Sequence, residues 1–152
     1  MNVIAIARHG IGIAGPPPLG LAIARGIVID CIRHTEAEGL VIQAAGPEAE
    51  TAWLARCAAR YRAAELPSGL ELAVTIGLRS GETARHIGRL LVAEAETQLG
   101  DRPAAIIRIG PDDLVLDRRD GSQPIPVRPA MVGLAEARSW AREQVGRHRL
   151  GV

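Results

Sequence analysis

Phenylalanine and lysine are both missing from this chain of 152 residues, and aromatic residues make up only 2% of it. Isoleucine, leucine, valine and alanine must therefore build the hydrophobic core, which suits buried strands and closely packed helices. Hydrophobic residues reach 47% of the chain, a share that excludes a disordered composition. Because a chain of this length buries about two thirds of its unfolded surface in one core, we expect residues 1–152 to form a single domain.

The chain also lacks an excess of charge of either sign. Its 18 basic residues, all of them arginine, are balanced by 17 acidic residues to a formal net charge of +1. Bulk charge therefore does not favour binding to a phosphate-rich polymer. Single guanidinium groups can still form bidentate hydrogen bonds with phosphate or carboxylate, so recognition of individual anionic groups stays open.

Long apolar runs and a secretory signal are absent as well. No apolar run approaches the roughly 18 residues of a membrane span. The start MNVIAIARHG lacks the basic segment, long apolar stretch and cleavage site of a signal peptide. The two cysteines, Cys31 and Cys57, are then expected to be reduced thiols. We therefore expect a cytoplasmic protein with no membrane partner.

Hydrophobic periodicity predicts strands that alternate with helices. Short apolar runs bounded by glycine or proline predict strands or strand pairs; these cover 3–7, 11–32, 70–78, 104–109 and a hairpin over 114–127 that turns at Asp120-Gly121. Apolar residues at helical spacing predict helices; these run from Pro47 to near Leu66, from Ser80 to Gly100, and onward from Pro129. This alternation predicts an α/β fold with a central, mostly parallel or mixed sheet and helices on both faces.

The stretch from Gly10 to Gly15 has the spacing G-x-G-x-x-G after a predicted strand. In dinucleotide-binding proteins this motif must open directly into a helix, so that free backbone amides meet the pyrophosphate. Here Pro16, Pro17 and Pro18 follow instead. We therefore expect a glycine-rich turn, with no nucleotide cofactor.

Two groups of residues have the chemistry of metal ligands without a convincing arrangement. Cys31 and His34 have the spacing C-x-x-H, but on a strand residues three apart point to opposite faces. Several carboxylates near the predicted hairpin could hold a hard cation; these are Asp112, Asp113, Asp117 and Asp120. Acidic residues in a solvated hairpin turn explain this group better, so we expect no metal.

Two arginine motifs carry a resemblance to a known family. Arg8-His9-Gly10 follows the first predicted strand, and in LELAVTIGLRSGETARHIGRLL, residues 70–91, Arg79 is followed by Ser-Gly-Glu-Thr-Ala. Both resemble signature motifs of the histidine phosphatases, the phosphoglycerate-mutase-like enzymes. The stretches 46–69 and 104–114 are similar to the family's intervening helix and its later strand. The resemblance implies a phosphohydrolase that acts through a phosphohistidine on a phosphorylated small molecule or protein.

The resemblance implies that His9 accepts the phosphoryl group while Arg8 and Arg79 hold its oxygens. A neutral imidazole flanked by cations suits this chemistry independently of the resemblance. Arg33-His34 resembles the same motif with threonine in place of glycine, so His34 is the alternative nucleophile. We expect Arg79 and one of the two Arg-His pairs to converge at the carboxyl edge of the sheet.

The chain departs from the family at one catalytic position. The second catalytic histidine would follow the strand at 104–109, where the sequence reads Gly110-Pro111-Asp112. Without that histidine, less of the charge that develops in the transition state is neutralised. The resemblance therefore implies either slow turnover or an anion-binding relative without activity.

A second hypothesis comes from the predicted order of elements. Three leading strands followed by alternating helices and strands also suit an RNase H-like fold, the architecture of junction resolvases. Such nucleases hold two metals with carboxylates, yet residues 1–29 contain no acidic residue. Under this alternative the protein is a nucleic-acid-binding or assembly module rather than a nuclease.

Overall fold

The protein is described by a computed structural model that covers 10–33, 40–58, 60–66, 69–76 and 85–149. Its strands are β1 (Ile11–Ala14), β2 (Leu40–Ala45), β3 (Arg60–Ala64), β4 (Leu70–Ile76), β5 (Arg85–Ala93), β6 (Ala105–Ile109), β7 (Leu114–Asp117) and β8 (Ile125–Pro126). Its α-helices are α1 (Pro17–Arg33), α2 (Glu48–Thr51), α3 (Glu96–Leu99) and α4 (Leu134–Arg149), and a 3-10 helix (Ala52–Arg56) follows α2.

The strands form one mixed sheet in the order β3-β2-β4-β5-β1-β6-β7-β8. β1 pairs in parallel with β5 and β6, and β2 pairs in parallel with β3. The other neighbouring pairs are antiparallel, so β4 and β7 run against the remaining strands. The predicted α/β class is confirmed, and of the two predicted sheet types the mixed one is observed.

The two faces of the sheet are covered very unequally. Side chains such as Ile11, Ile13 and Leu72 are almost fully buried and share the main core with α1, the 3-10 helix and α4; we call this side the covered face. Among the described residues, the opposite side, the open face, carries only α3, whose Leu99 packs against Ile106 and its neighbours. Helices thus lie on both faces, but one face has a single helical turn.

The prediction of strands across 11–32 is wrong beyond Ala14, because Pro17–Arg33 is a helix. Proline in the first turn of a helix loses nothing, since the amide it lacks would have no intrahelical acceptor. The carbonyl oxygen of Pro16 accepts hydrogen bonds from the amides of Leu19 and Gly20, at 3.1 and 3.0 Å. Apolar residues cover the helix nearly all round because it is buried beneath the sheet and α4.

The predicted helix from Ser80 to Gly100 is also wrong, since Arg85–Ala93 is a strand that pairs with β1 and β4. Leu90 and Val92 face the main core, while Leu91 faces the smaller cluster around α3. Because both faces are buried at this point, the alternation of a strand is lost and the apolar spacing imitates a helix. The predicted end of a helix at Gly100 is confirmed for the short α3.

The helix predicted from Pro47 ends earlier than expected. It begins at Glu48 and continues as a 3-10 helix to Arg56, and residues 60–64 then form the edge strand β3. The described chain therefore begins with a strand, a helix and a strand. The element order on which the RNase H-like hypothesis rested is wrong in this respect.

Other predicted elements are confirmed. Strands cover most of 70–78 and 104–109, and β7 and β8 form the predicted hairpin. The last helix begins at Leu134, five residues after Pro129. Among the described residues no helix is long and apolar enough to cross a membrane.

Glycine is required where two layers come closest. A Cβ on Gly26 would lie 2.5 Å from the carbonyl oxygen of Ala130, so α1 packs against backbone there. A Cβ on Gly12 would lie 2.9 Å from Leu99 and 3.0 Å from Pro103, on the open face. The contact at Gly26 is with backbone and is too short for any Cβ, whereas at Gly12 the side chain of Leu99 would have to move.

Candidate functional site

The predicted catalytic and phosphate-binding residues lie outside the described residues: they are Arg8, His9, His34 and Arg79. The direction of β4, the strand before Arg79, is relevant to the expectation that these residues meet at the carboxyl edge of the sheet. β4 precedes Arg79 and runs antiparallel to β5, so its last residue, Ile76, lies opposite Arg85, the first residue of β5. The carboxyl end of β4, the strand before Arg79, is thus at the edge where the parallel strands β5 and β1 begin, not at their carboxyl edge.

The topology itself marks a different position for a binding site. β1 leads through α1, on the covered face, to β2, whereas β5 leads through α3, on the open face, to β6. β1 and β5 are adjacent and parallel, and their connections leave on opposite faces. In open α/β sheets, ligands bind in the crevice outside the carboxyl ends of two such strands.

A cavity of about 470 Å³ lies at the carboxyl end of β5, beside the start of α1, the helix that follows β1, and we call it the switch-point crevice. Its apolar walls come from α1, β4, β5, α3 and neighbouring loops, and include Pro17, Leu21, Pro47, Leu66, Leu70, Leu91, Val92 and Leu99. Its polar side chains are Glu71, Glu94, Gln98 and Arg102. The volume and the apolar walls with few polar groups are typical of a small-molecule site.

The start of α1 at this crevice offers no backbone cradle for phosphate. Pro17 and Pro18 have no amide hydrogen, and the amides of Leu19 and Gly20 are bonded to Pro16. G-x-G-x-x-G does lead into a helix, contrary to the expected turn, but the prolines remove the donors that a pyrophosphate needs. Any anion bound here must be held by side chains.

Arginines supply those side chains on the open face. A groove of about 390 Å³ there is lined by Gln43, Arg62, Ala73 and Arg89, among others. Cross-strand register places these four in one row over β3, β2, β4 and β5. Arg62 and Arg89 are exposed, and neither forms an ion pair with another described residue. We call this the open-face groove.

Arg102 joins the two cavities, since it lines both together with Glu71 and Leu91. Its guanidinium lies 2.7 Å from the carboxylate of Glu71, with about half of each side chain exposed. It also donates to the carbonyl oxygens of Leu99 and Gln98 at the end of α3, at 3.4 and 3.5 Å. An ion pair this exposed adds little stability, so Arg102 can exchange Glu71 for a ligand anion.

A network of three charged side chains anchors α3, which walls the crevice. Arg108 on β6 contacts both carboxylate oxygens of Glu96 at 2.7 Å and one oxygen of Asp117 at 2.7 Å. The hydrogen bond from Arg108 lowers the pKa of Glu96, and bonds from the backbone of Arg119 and from Arg108 lower the pKa of Asp117. The two carboxylates in turn raise the pKa of Arg108.

Cys57 has the wrong electrostatics for a nucleophile. Burial raises the pKa of its thiol to about 11, so the group stays protonated at neutral pH. Its Sγ lies 3.7 Å from the carbonyl oxygen of Trp53. Cys31 is fully buried in the core. Neither thiol has the exposed, electropositive surroundings of a reactive cysteine.

Two of the acidic residues near the hairpin, Asp117 and Asp120, have partners within it or beside it. Asp117 pairs with Arg108, and Asp120 accepts hydrogen bonds from the amide and the hydroxyl of Ser122. The part of the chain that the structure covers contains no cluster of three or more potential metal ligands. Asp117 and Asp120 thus have partners in the hairpin or on β6, whereas His34 of the Cys31 and His34 pair lies outside the described residues.

No family model, curated protein or solved structure matches this chain. The candidate site therefore depends on geometry alone. Sequence reasoning missed Arg62, Arg89 and Arg102. The first two stand on strands among apolar residues, and Arg102 follows the short helix α3. The available signal was an arginine inside an otherwise apolar strand, as in RHIGRLLVA, residues 85–93.

Proposed function

We propose that this protein binds a small phosphorylated molecule with an apolar portion, across the switch-point crevice and the open-face groove. The observation that carries the proposal is the meeting of the two cavities at Arg102, which lines both. One of the two cavities is mainly apolar. The other is open and bears arginines. An amphipathic anion matches this division.

The crevice suits the apolar part of the ligand. Leu21, Leu66 and Leu70 reach it from three segments of the chain, and burial of hydrocarbon against them is favourable by about 0.8 kcal/mol for each methylene group. The prolines at the start of α1 present ring carbons rather than amides. This wall therefore selects for hydrocarbon over phosphate.

The groove suits the anionic part. Arg62 and Arg89 stand on β3 and β5, three strand spacings apart, or about 14 Å at the backbone. Long guanidinium side chains can converge over the small Ala73 that lies between them in the row. Arginine binds phosphate with two parallel hydrogen bonds. We assign the phosphate to Arg89, which lines the groove, and to Arg102, which lines both the groove and the crevice.

Hexyl phosphate is the probe that tests this arrangement, with inorganic phosphate and hexanol as partial ligands. Titration calorimetry should show hexyl phosphate binding about tenfold or more tighter than inorganic phosphate, because the alkyl chain adds apolar burial. Arg89→Gln should weaken both anions about tenfold, through loss of a charged hydrogen bond. Arg118→Gln, at an exposed arginine of the hairpin, is the matched control.

A variant of the crevice separates the two halves of the ligand. Leu66→Ala should weaken hexyl phosphate and leave inorganic phosphate unchanged, whereas Leu19→Ala, at a leucine 39% exposed elsewhere, should affect neither. Equal binding of hexyl phosphate and inorganic phosphate, or an Arg89→Gln protein that binds like the parent, would rule out the proposed site.

Phosphoryl hydrolysis by the predicted histidines is a second candidate. The topological observation in its favour is that Leu40, Ile76 and Arg85 lie opposite one another at one edge of the sheet. These residues border the segments that contain His34 and Arg79. Hydrolysis of an aryl phosphate by the parent, lost in His9→Ala or in His34→Ala, would identify the nucleophile. A parent protein without turnover would exclude this activity and leave the binding proposal standing.

A further inference from the structure

A second group of arginines lies on the covered side of the sheet, on the outer surface of the helices that pack there. The 3-10 helix and α4 pack together there, and a cavity of about 450 Å³ lies between them. Its lining comprises Ala52, Trp53, Arg56, Ala135, Arg138 and Arg142. We call it the arginine cleft. The sheet and its core separate it from the open-face groove.

The cleft concentrates positive charge that the fold does not neutralise. Its three arginines are all exposed, its lining contains no acidic residue, and no carboxylate of the described chain pairs with them. Arg138 and Arg142 are four residues apart on α4, a spacing at which like charges repel. Glu136 is two residues from Arg138, so it projects about 160° away around the helix.

The floor of the cleft is rigid and small. Ala52 and Ala135 contribute only methyl groups, which leaves room between the two elements. Trp53 is 5% exposed, and its indole nitrogen donates to the carbonyl oxygen of Glu50 at 3.1 Å. Arg56 follows Trp53 by three residues in the same helical segment. The three guanidinium groups are therefore mounted on fixed backbone around an open space.

We propose that the arginine cleft is a second anion-binding site, which takes a small polyanion with two linked phosphate groups. Three guanidinium groups around one space match the several charges of a diphosphate better than those of a single carboxylate. A bound polyanion would also relieve the repulsion between Arg138 and Arg142. This site is independent of the proposed function, because it shares no residue with either cavity there.

Pyrophosphate is the probe, and titration calorimetry with thermal unfolding gives the readouts. We expect the parent to bind pyrophosphate more tightly than inorganic phosphate and to unfold at a higher temperature with it. Arg138→Gln, Arg142→Gln and Arg56→Gln should each weaken pyrophosphate binding by about tenfold. Without ligand, Arg138→Gln should unfold no earlier than the parent, since it removes a repulsion.

The controls distinguish this site from the open-face groove. A protein with both Arg62→Gln and Arg89→Gln should keep the pyrophosphate affinity of the cleft, and Arg128→Gln, at an exposed arginine outside it, should bind like the parent. Loss of pyrophosphate binding only in the double variant would overturn the second site and support the first. Unfolding of ligand-free Arg138→Gln at a lower temperature than the parent would also overturn the second site, because Arg138 would then stabilise the fold.

Discussion

The two faces of one sheet obey opposite rules in this protein. On the covered face, neighbouring strands present aliphatic side chains such as Ile42 and Leu72, which are almost completely buried in the core that includes α1, the 3-10 helix and α4. On the open face, the same strands present Gln43, Glu71 and Arg89 to solvent. Hydrophobic burial is the dominant favourable term in folding. The covered face therefore supplies most of the stability, and the open face is free to carry charge.

Strand β4 illustrates the difference within two consecutive residues. Leu72 is 3% exposed in the main core, whereas Glu71 points the other way and pairs with Arg102 at the meeting point of two cavities. Each strand thus contributes alternately to stability and to the candidate site. Substitutions on the two faces should then have effects that differ in kind as well as in size.

The largest effect is expected from Leu72→Ala. A leucine buried this completely costs about 2–5 kcal/mol of unfolding free energy when it is truncated, since the cavity closes only partly. Urea denaturation followed by circular dichroism measures the loss. Ala73→Ser, one residue further on and on the open face, is the control and should change the unfolding free energy by less than about 0.5 kcal/mol. Equal losses in the two variants would contradict the division of the sheet.

Gly26→Ala should give the next largest effect. The added Cβ would lie 2.5 Å from the carbonyl oxygen of Ala130, so α1 must move away from that segment at a cost of about 1–3 kcal/mol. Gly133→Ala is the matched control, because a Cβ there meets nothing within 4 Å. Thermal unfolding should show a lower midpoint for the first variant alone. A stabilised Gly26→Ala protein would show that helix propensity outweighs the contact.

The ion pairs of the two faces should differ in strength. Arg25 and Glu50 meet at 2.6 Å on the covered side with exposures of 11% and 22%, and Arg25 also donates to Val132. Glu50→Gln should cost roughly 1–2 kcal/mol, because it leaves a half-buried charge unpaired. Glu71→Gln, in the exposed pair, should cost about 1 kcal/mol or less. Chemical denaturation at low and at high salt compares the unfolding free energies of the two variants. A larger loss in Glu71→Gln would show that the exposed ion pair is the stronger of the two.

The smallest effect concerns pH and the network around Arg108. Glu96 and Asp117 have pKa values lowered below 4.5 and 3.8, their ordinary values. Stabilisation by these groups is therefore complete above those values and is lost as pH falls through the lowered pKa values. Denaturation midpoints between about pH 6 and pH 3 should fall less in Arg108→Gln than in the parent. Identical pH profiles would show that the network adds nothing to stability.

The candidate site was the part of the molecule least accessible to sequence reasoning. Strand β6 and the β7-β8 hairpin are confirmed from pattern alone, because an apolar run between turn residues has few alternatives there. The sequence pattern predicts a helix where β5 lies, since burial on both faces hides the alternation of the strand. Arg89 is therefore not among the predicted site residues, because a residue on a helix has no partners across a sheet.

Composition and local pattern determined that this chain builds an aliphatic α/β domain with a last helix after Pro129 and a hairpin before it. Those properties depend on residues close together along the chain. Only the tertiary structure decided which parallel strands are adjacent, and that a crevice opens between the carboxyl end of β5 and the start of α1. It also decided that Arg62, Arg89 and Arg102 share one surface, because strand order depends on contacts distant in sequence.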